Sequence, residues 1–389
     1  MDRLLGLSQV PSPGNPGEGA RNVFARANPM TEGAIGNVSS PQLPNPAPFA
    51  DVPKAPVISP DGLLRFLTTG SAVVVITMLV AIVSVLTYAS VPSIKAFGYR
   101  FLTTVDWRPN ELERPKLDSN GNVVMEDGET VTETLPPAFG ALAVIWGTAI
   151  SSVIALVVAV PLSMGASIFL IRIAPNWLTG PVSFLIEFLA AIPSIAYGIW
   201  GLFVMCPFLQ QHIEPALNSM FAKTPGLSWL SSPGGLTGRD MLAGGMILGI
   251  MTIPIITAIS RDVLRAVPRA QIEGTVALGA TWWESSKEML KFSRSALFGA
   301  IMLGLARAAG ETMAITMVIG NNNQIKSSLF APAQTMSSLL ANEFAEASTD
   351  IHRSALAEVA LILLLMSLIF NVVARYFVVG KSSRTTAAH

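Results

Sequence analysis

Six apolar stretches constrain the fold of this chain more than any other feature of its sequence. A helix needs roughly 20 residues to cross a bilayer. The stretches run approximately over residues 66–90, 138–171, 177–206, 241–260, 296–320 and 355–379. Only 13% of the 389 residues are charged, whereas soluble domains carry about 25%. The sequence therefore predicts an all-α integral membrane protein with six transmembrane helices.

The two ends of the chain differ from the apolar body. Residues 1–62 are rich in Pro, Gly, Asn and Ser and contain no apolar run, so we predict a disordered tail without a signal peptide. A transmembrane domain follows over 63–380, and 381–389 form a short C-terminal tail. The single Cys206 excludes an internal disulfide and a cysteine-based metal site, and we expect no metal site elsewhere.

Two connecting segments are long and differ in charge. Segment 91–137 is rich in Asp and Glu and predicts an extended outer loop. Segment 261–294 is rich in Arg and Lys, and the positive-inside tendency places such a segment in the cytoplasm. With six spans, this orientation predicts that both termini are cytoplasmic.

One arginine and one glutamate lie four residues apart within the fifth apolar stretch. Each charge at the centre of a spanning helix costs roughly 2.5–3.5 kcal/mol on insertion scales, so Arg307 and Glu311 need compensation. At this spacing they share one helix face and can pair. They form either a structural ion pair that locks a helix bundle or part of a pathway for a charged substrate. The spacing alone leaves both interpretations open.

Pro193 lies in the middle of the third stretch, where it predicts a kink or a break. A broken helix is tolerated in a membrane only where protein or a cavity satisfies its free backbone groups. Ser194 and Tyr197 follow the proline, and their hydroxyls could donate to an anion. The alternative is a packing kink in which the hydroxyls bond their own backbone, and we prefer it while keeping both residues as candidates.

Segment 261–294 predicts two short amphipathic helices separated by a glycine bend. Pro268 can start the first helix, Gly279 can end it, and a second can begin at Thr281. Such a pair presents an apolar knob on which a partner can dock. The alternative is a pair of interfacial helices that lie on the lipid, and physical reasoning does not separate the two.

Several motifs resemble one known family. Glu273 followed by Gly279 resembles the cytoplasmic EAA loop of ABC-importer permeases. The resemblance narrows to permeases of phosphate importers, of the PstC type, through these further motifs: Phe139-Gly140, Trp146-Gly147-Thr148, Pro161-Leu162-Ser163-Met164-Gly165, Ile192-Pro193-Ser194-Ile195-Ala196-Tyr197-Gly198, Leu278-Gly279-Ala280-Thr281-Trp282-Trp283-Glu284 and Arg307-Ala308-Ala309-Gly310-Glu311-Thr312. It covers roughly residues 63 to 380.

The resemblance implies partners and residue roles. In this family the segment 261–294, here called the coupling loop, docks in a groove of an ATPase. The implied coupling residues are Glu273, Ala277, Leu278, Gly279, Ala280 and Trp283, and the implied substrate pathway contains Arg307, Glu311 and Thr312. The implied partners are a second homologous permease (PstA-type), an ATPase dimer (PstB-type), an extracytoplasmic phosphate-binding protein (PstS-type) and the bilayer. No cofactor is expected on this chain, since ATP and Mg act on the ATPase.

The sequence is not expected to be that of an enzyme. It contains no Gly-x-x-x-x-Gly-Lys-Ser/Thr phosphate loop. The resemblance implies a transporter subunit of a prokaryotic inner membrane. Our hypothesis is that Arg307 meets the anion transiently and that Glu311 neutralises Arg307 between cycles. The alternatives are a permease for another oxyanion, such as sulfate or molybdate, and a gradient-driven secondary anion transporter.

Overall fold

The computed structural model describes residues 60–115, 125–126, 129–130, 132–232 and 234–382. The predicted tails lie outside these residues, except that 60–62 belong to the first helix and 381–382 to the last. Contacts join the described residues from 69 to 382 into one compact unit, and the described residues 60–68 belong to the first helix.

Helices dominate the described residues, and the short strands lie in segment 91–137. The elements are α1 (Pro60–Phe97), α2 (Arg100–Thr103), β1 (Leu112–Pro115), β2 (Met125–Glu126), β3 (Glu129–Thr130), β4 (Thr132–Leu135), α3 (Leu142–Ile168), α4 (Asn176–Ala191), α5 (Ser194–Trp200), α6 (Cys206–Phe208), α7 (Glu214–Lys223), α8 (Met241–Arg265), α9 (Arg269–Ala277), α10 (Trp282–Phe292), α11 (Arg294–Gly310), α12 (Met313–Val318), α13 (Met336–Glu343) and α14 (Asp350–Ser382). Strand β1 pairs with β4 and β2 with β3, both antiparallel.

Short wide turns extend or join several of these helices. A π-helical turn, Phe169–Ile173, continues α3, and two more, Gly201–Met205 and Leu209–Ile213, join α5, α6 and α7 end to end. A single 3₁₀ turn, Ser228–Leu230, follows α7. The segment from α5 to α7 is therefore one helical rod.

Four helices in the described part of the chain are long and apolar enough to cross a membrane. They are α1, α3 with its π-helical turn, α8 and α14. Two bent pairs also pass when each is taken together: α4 with the α5–α7 rod, bent by 91°, and α10 with α11, bent by 70°. Counting each bent pair once gives the six spans that the sequence predicts.

The third span is broken where the sequence predicts it. Helix α4 ends at Ala191 and α5 begins at Ser194, with Pro193 in extended backbone between them. Proline has no N–H to donate to the carbonyl four residues earlier, and its ring clashes with that carbonyl. The predicted break at Pro193 is confirmed.

The fifth apolar stretch is not the continuous helix that we expected over 296–320. Helix α11 ends at Gly310, Glu311 has extended backbone, and α12 starts at Met313. Two contacts support the break: the Glu311 carboxylate accepts from the N–H of Ala314 at 3.4 Å, and its carbonyl accepts from Ser337 Oγ at 2.6 Å. Hydrogen-bond partners from elsewhere in the fold are what make a break tolerable at membrane depth.

Helix α8 is the central element of the packed spans. In its most apolar window 61% of the residues are buried, and its neighbours are α3, α4, α11 and α12. The helices approach closely at small residues: a Cβ added to Gly245 would lie 2.5 Å from Ile154, and one added to Gly304 would lie 2.6 Å from Ile256. Such glycines let helix backbones pack closely in membranes.

The segment between α12 and α13 folds back over the start of α8. The first free N–H groups of α8, at Met241 and Leu242, donate to the carbonyls of Ala331 and Leu329. The N–H of Met336 then donates to Thr148 Oγ1 on α3 at 2.9 Å. This segment therefore supplies acceptors to one helix start and anchors α13 beside the break at Glu311.

Candidate translocation site and coupling loop

The two broken spans meet just beyond their breaks. Helix α5 packs on α12, and the contact is tight at Gly198, where an added Cβ would lie 3.0 Å from the Cα of Ala314. A Cβ on Gly201 would lie 3.0 Å from Val318. Because both helices are interrupted at this level, their ends can be repositioned with less disruption than an intact span would suffer.

Arg307 and Glu311 line one cavity that is open to the surroundings, between α8 and the end of α11, and Arg307 is exposed in it. The cavity measures about 510 Å³ and is lined by Ile255, Leu303, Ala306, Arg307, Gly310 and Glu311. Arg307 belongs to the last turn of α11, whereas Glu311 belongs to the break. The cavity wall is therefore mostly apolar, with one fixed positive charge and one carboxylate on the same side.

The two charges do not form the ion pair that their spacing suggested. Within the described residues, no hydrogen bond or ion pair holds the Arg307 guanidinium, and the Glu311 carboxylate is directed to the N–H of Ala314. The four-residue rule holds only inside a helix, and α11 ends before Glu311. The interpretation of a lock between these two residues is therefore wrong for this conformation.

The remaining candidate pathway residues lie at the breaks. Tyr197 donates its hydroxyl to the carbonyl of Leu189 at 2.9 Å, and that carbonyl also accepts from the N–H of Ile192 at 3.4 Å. Thr312 donates to the carbonyl of Gly310 at 3.3 Å. Ser194 is half-buried in the first turn of α5. The positive charge of Arg307 lies within electrostatic range of the Tyr197 hydroxyl.

The coupling loop has the two helices and the bend that its sequence predicts. Helix α9 follows Pro268, and Gly279 has a φ of +86°, in the left-handed region that favours glycine. Thr281 caps α10 through a reciprocal capping box with Glu284, which satisfies two free backbone donors. These local signals explain why the loop is ordered here.

The bend presents apolar side chains to the surroundings. Leu278 is 91% exposed, and Val276, Trp282 and Trp283 are also exposed. The two indole rings stack at 6.5 Å, and Lys287 Nζ lies 5.4 Å from the Trp283 ring centre. Of the other predicted coupling residues, Glu273 and Ala277 are exposed, Gly279 is exposed at the bend, and Ala280 is half-buried. This surface is a compact apolar knob rimmed by charge.

The opposite face of α10 is anchored to the membrane spans. Met289 is buried against Leu264, Val267 and Leu297. Buried Ser285 accepts from Arg172 Nη2 at 3.2 Å, and Arg172 belongs to the π-helical turn after α3. We did not single out Arg172 from the sequence; its only signal there is that it is an arginine at the end of an apolar stretch.

A second charged contact was also not predicted from the sequence. Arg261, near the end of α8, donates to Glu187 on α4 and to Asp262, each at 3.0 Å. The Arg261 side chain is 9% exposed. The only sign of this contact in the sequence was Glu187, a glutamate within the third apolar stretch.

Two carboxyl groups are buried at the other end of α8. Glu214 and Asp240 are both 0% exposed, and Asp240 caps α8 by accepting from the N–H of Ala243 at 2.8 Å. Burial, together with the neighbouring Glu214 carboxylate, raises the pKa of Asp240 to about 8. Asp240 is thus held in the protonated form at neutral pH.

Comparison with known proteins gives consistent matches. The family model described as binding-protein-dependent transport system inner membrane component matches residues 159–381. The phosphate transport system permease protein PstC of Mesorhizobium japonicum is 40% identical over 84% of this chain and 92% of the relative. PstC of Haemophilus influenzae is 41% identical over 82% of this chain and 93% of its own length. The MetNI methionine ABC transporter, solved in inward facing conformations, aligns with 61% of this chain at 16% identity and a TM-score of 0.43.

Proposed function

Because the chain belongs to the family of binding-protein-dependent transport system inner membrane components, we propose that it is the transmembrane permease subunit of an ATP-driven importer of inorganic phosphate. Relatives named for phosphate transport align with more than four-fifths of the chain and nine-tenths of their own lengths, which supports the cargo. The multi-pass architecture of this protein supports its role as the membrane subunit.

The single observation that carries the proposed mechanism is the guanidinium of Arg307, which has no ion-pair partner in the described part of the chain and lines an open cavity next to the break at Glu311. Arginine is always charged and presents a planar fork of donors that matches phosphate oxygens. An arginine without a counter-ion in a mostly apolar cavity is available to an anion. Arg307 therefore meets phosphate as it passes the break at Glu311.

Glu311 has the opposite task at the same cavity. Its carboxylate lies on the wall that holds Arg307, but in this conformation it binds the start of α12. A movement of the break that releases this hydrogen bond frees the carboxylate to compete with phosphate for Arg307. A transporter must release its cargo as well as bind it, and Glu311 assists that release.

The coupling loop transmits the movement of a separate ATPase in this proposal. The exposed knob at Leu278 and the tryptophans, with Glu273, Ala277, Gly279 and Ala280, inserts into a groove of the ATPase, which binds ATP and Mg. This assignment orients both termini toward the cytoplasm. A second homologous permease completes the pathway, and an extracytoplasmic phosphate-binding protein delivers the anion.

The first prediction tests Arg307 and Glu311 in the assembled complex. Phosphate uptake into proteoliposomes is expected to fall roughly ten- to hundredfold in Arg307→Gln, because a charge-assisted hydrogen bond contributes about 1.5–3 kcal/mol. Glu311→Gln is expected to retain anion binding but to lose turnover. Arg65→Gln is the matched control, since Arg65 is exposed near the start of α1 and outside the coupling loop. Wild-type uptake in both variants, at full assembly, contradicts the mechanism.

The same assay separates the alternative transporters. Uptake that needs the ATPase and stops with vanadate supports the importer, whereas uptake that persists without ATPase and follows an ion gradient indicates a secondary transporter. Stimulation of ATP hydrolysis by sulfate or molybdate, and not by phosphate, would assign the subunit to another oxyanion.

A further inference from the structure

One ion pair ties the inner half of the broken third span to the helix that carries the coupling loop. Arg261 Nη2 on α8 lies 3.0 Å from Glu187 Oε1 on α4. Among the described residues, no other ion pair joins two membrane-spanning helices. The contact therefore connects two elements that could otherwise slide along their apolar faces.

The position of each partner in its helix makes this contact informative. Arg261 lies one turn before the end of α8, at the first residue of the coupling loop. Glu187 lies one turn before the end of α4, beside the break at Pro193. Beyond that break, α5 packs on α12, which starts next to Glu311. A displacement at the coupling loop has a short route to the cavity through this pair.

The charges indicate that Glu187 does more than neutralise a buried arginine. The Arg261 side chain is 9% exposed and also bonds Asp262 at 3.0 Å. Asp262 adjoins Arg261 on the same helix, so it compensates the charge without connecting two elements. Glu187 is half-exposed. It links two helices, and such a link is not required if the only need is to compensate the charge of Arg261.

We propose that Arg261 and Glu187 are positioning residues that transmit coupling-loop movement to the inner half of the broken span. The pair holds α4 to α8, so that both helices move together when the ATPase moves the loop. This inference rests on the proposed function and assigns to it a specific mechanical contact.

The test compares Glu187→Gln with Asp262→Asn in the complete complex. Both substitutions remove one carboxylate from Arg261, but only the first removes the link between helices. In proteoliposomes, we expect Glu187→Gln to raise the ATP hydrolysed per phosphate transported by roughly two- to thirtyfold, the range that corresponds to coupling energies of about 0.5–2 kcal/mol. Asp262→Asn, which keeps the link, is expected to stay near the wild-type ratio.

A distance measurement supplies a readout that does not depend on the cargo. Spin labels at Leu185 on α4 and Val157 on α3, both exposed, report the displacement of α4 when ATP is added. The displacement is expected in wild type and in Asp262→Asn and is expected to shrink in Glu187→Gln. If wild type shows this displacement without taking up phosphate, the cargo assignment fails and the link stands.

Two results overturn the inference. The first is a Glu187→Gln complex with the wild-type ATP-to-phosphate ratio and the wild-type displacement of α4. The second is equal uncoupling in Glu187→Gln and Asp262→Asn, since that result would mean that Arg261 needs only charge compensation.

Discussion

The contacts of single side chains in this protein depend more on the local backbone conformation than on residue spacing in the sequence. Arg307 and Glu311 have the spacing of a helical ion pair, yet the helix ends between them and each has a separate environment. Tyr197 donates its hydroxyl to the Leu189 carbonyl just before the break at Pro193, where the N–H of Ile192 also donates. These side chains therefore support the breaks as well as face the proposed pathway.

Asp240 gives a prediction about pH at the scale of one residue. Its ordinary pKa is 3.8 and its folded value is about 8. The folded protein therefore retains a proton that the unfolded chain releases as the pH rises through this window. The stabilisation of the folded state by this proton is fully present below the ordinary pKa and is lost as the pH rises toward 8. We expect the melting temperature in detergent to fall as the pH is raised from 5 to 8.5, a range that covers most of the interval between the two pKa values.

Asp240→Asn is expected to flatten that dependence, because the amide imitates the protonated acid beside Glu214, Cys206 and Arg239. Asp350→Asn is the control, since the Asp350 side chain is fully exposed. Melting temperatures measured across the pH range decide the point. An unchanged slope in Asp240→Asn would show that another group titrates.

At the scale of elements, the coupling loop owes its form to local chemistry. The capping box at Thr281, the proline before α9 and the glycine bend each act within a few residues. The break at Glu311 has a different origin, because Ser337, which donates to its carbonyl, is distant in the chain. Local elements were therefore predictable, whereas this interruption was not.

Gly279→Ala tests the bend. A left-handed backbone costs an alanine about 1–2 kcal/mol, so the orientation of α9 against α10 should be disturbed. We expect the affinity of the ATPase for the permease to fall roughly five- to thirtyfold, which is that energy expressed as a ratio. Titration of the ATPase onto the reconstituted permease measures this affinity.

Gly274→Ala is the matched control for the bend. Gly274 is within α9, and an added Cβ there meets nothing within 4 Å. Alanine favours the helix more than glycine does, so ATPase affinity should be unchanged or increased. A loss of equal size in both variants would mean that added bulk, and not bend geometry, matters.

At the scale of the whole molecule, charged contacts lie at the ends of the packed spans, and the cavity at Arg307 lies next to the break at Glu311. The Arg261 contact lies at the end of α8 next to the coupling loop, and Asp240 at its start. Apolar side chains cover most of the remaining span surfaces. This distribution lets movement at the coupling loop reach the cavity through few polar contacts.

Leu278→Glu tests whether the exposed knob is an assembly surface. Leu278 is 91% exposed, so the substitution should leave the permease fold intact. Burying the new charge in an ATPase groove is expected to abolish co-purification of the ATPase. Leu227→Glu, directly before the 3₁₀ turn that follows α7 and 36% exposed, should leave assembly unchanged. Normal co-purification of Leu278→Glu would exclude this knob as the docking surface.

The sequence alone determined the membrane class, the six apolar spans, the break at Pro193 and the two helices of the coupling loop. Each of these follows from apolar length or from chemistry within a few neighbouring residues. Only the tertiary structure decided that Arg307 stands without Glu311, that Arg261 holds Glu187 and that Asp240 is buried beside Glu214. The physical reason is that these environments depend on hydrogen bonds, ion pairs and burial supplied by residues far away in the chain.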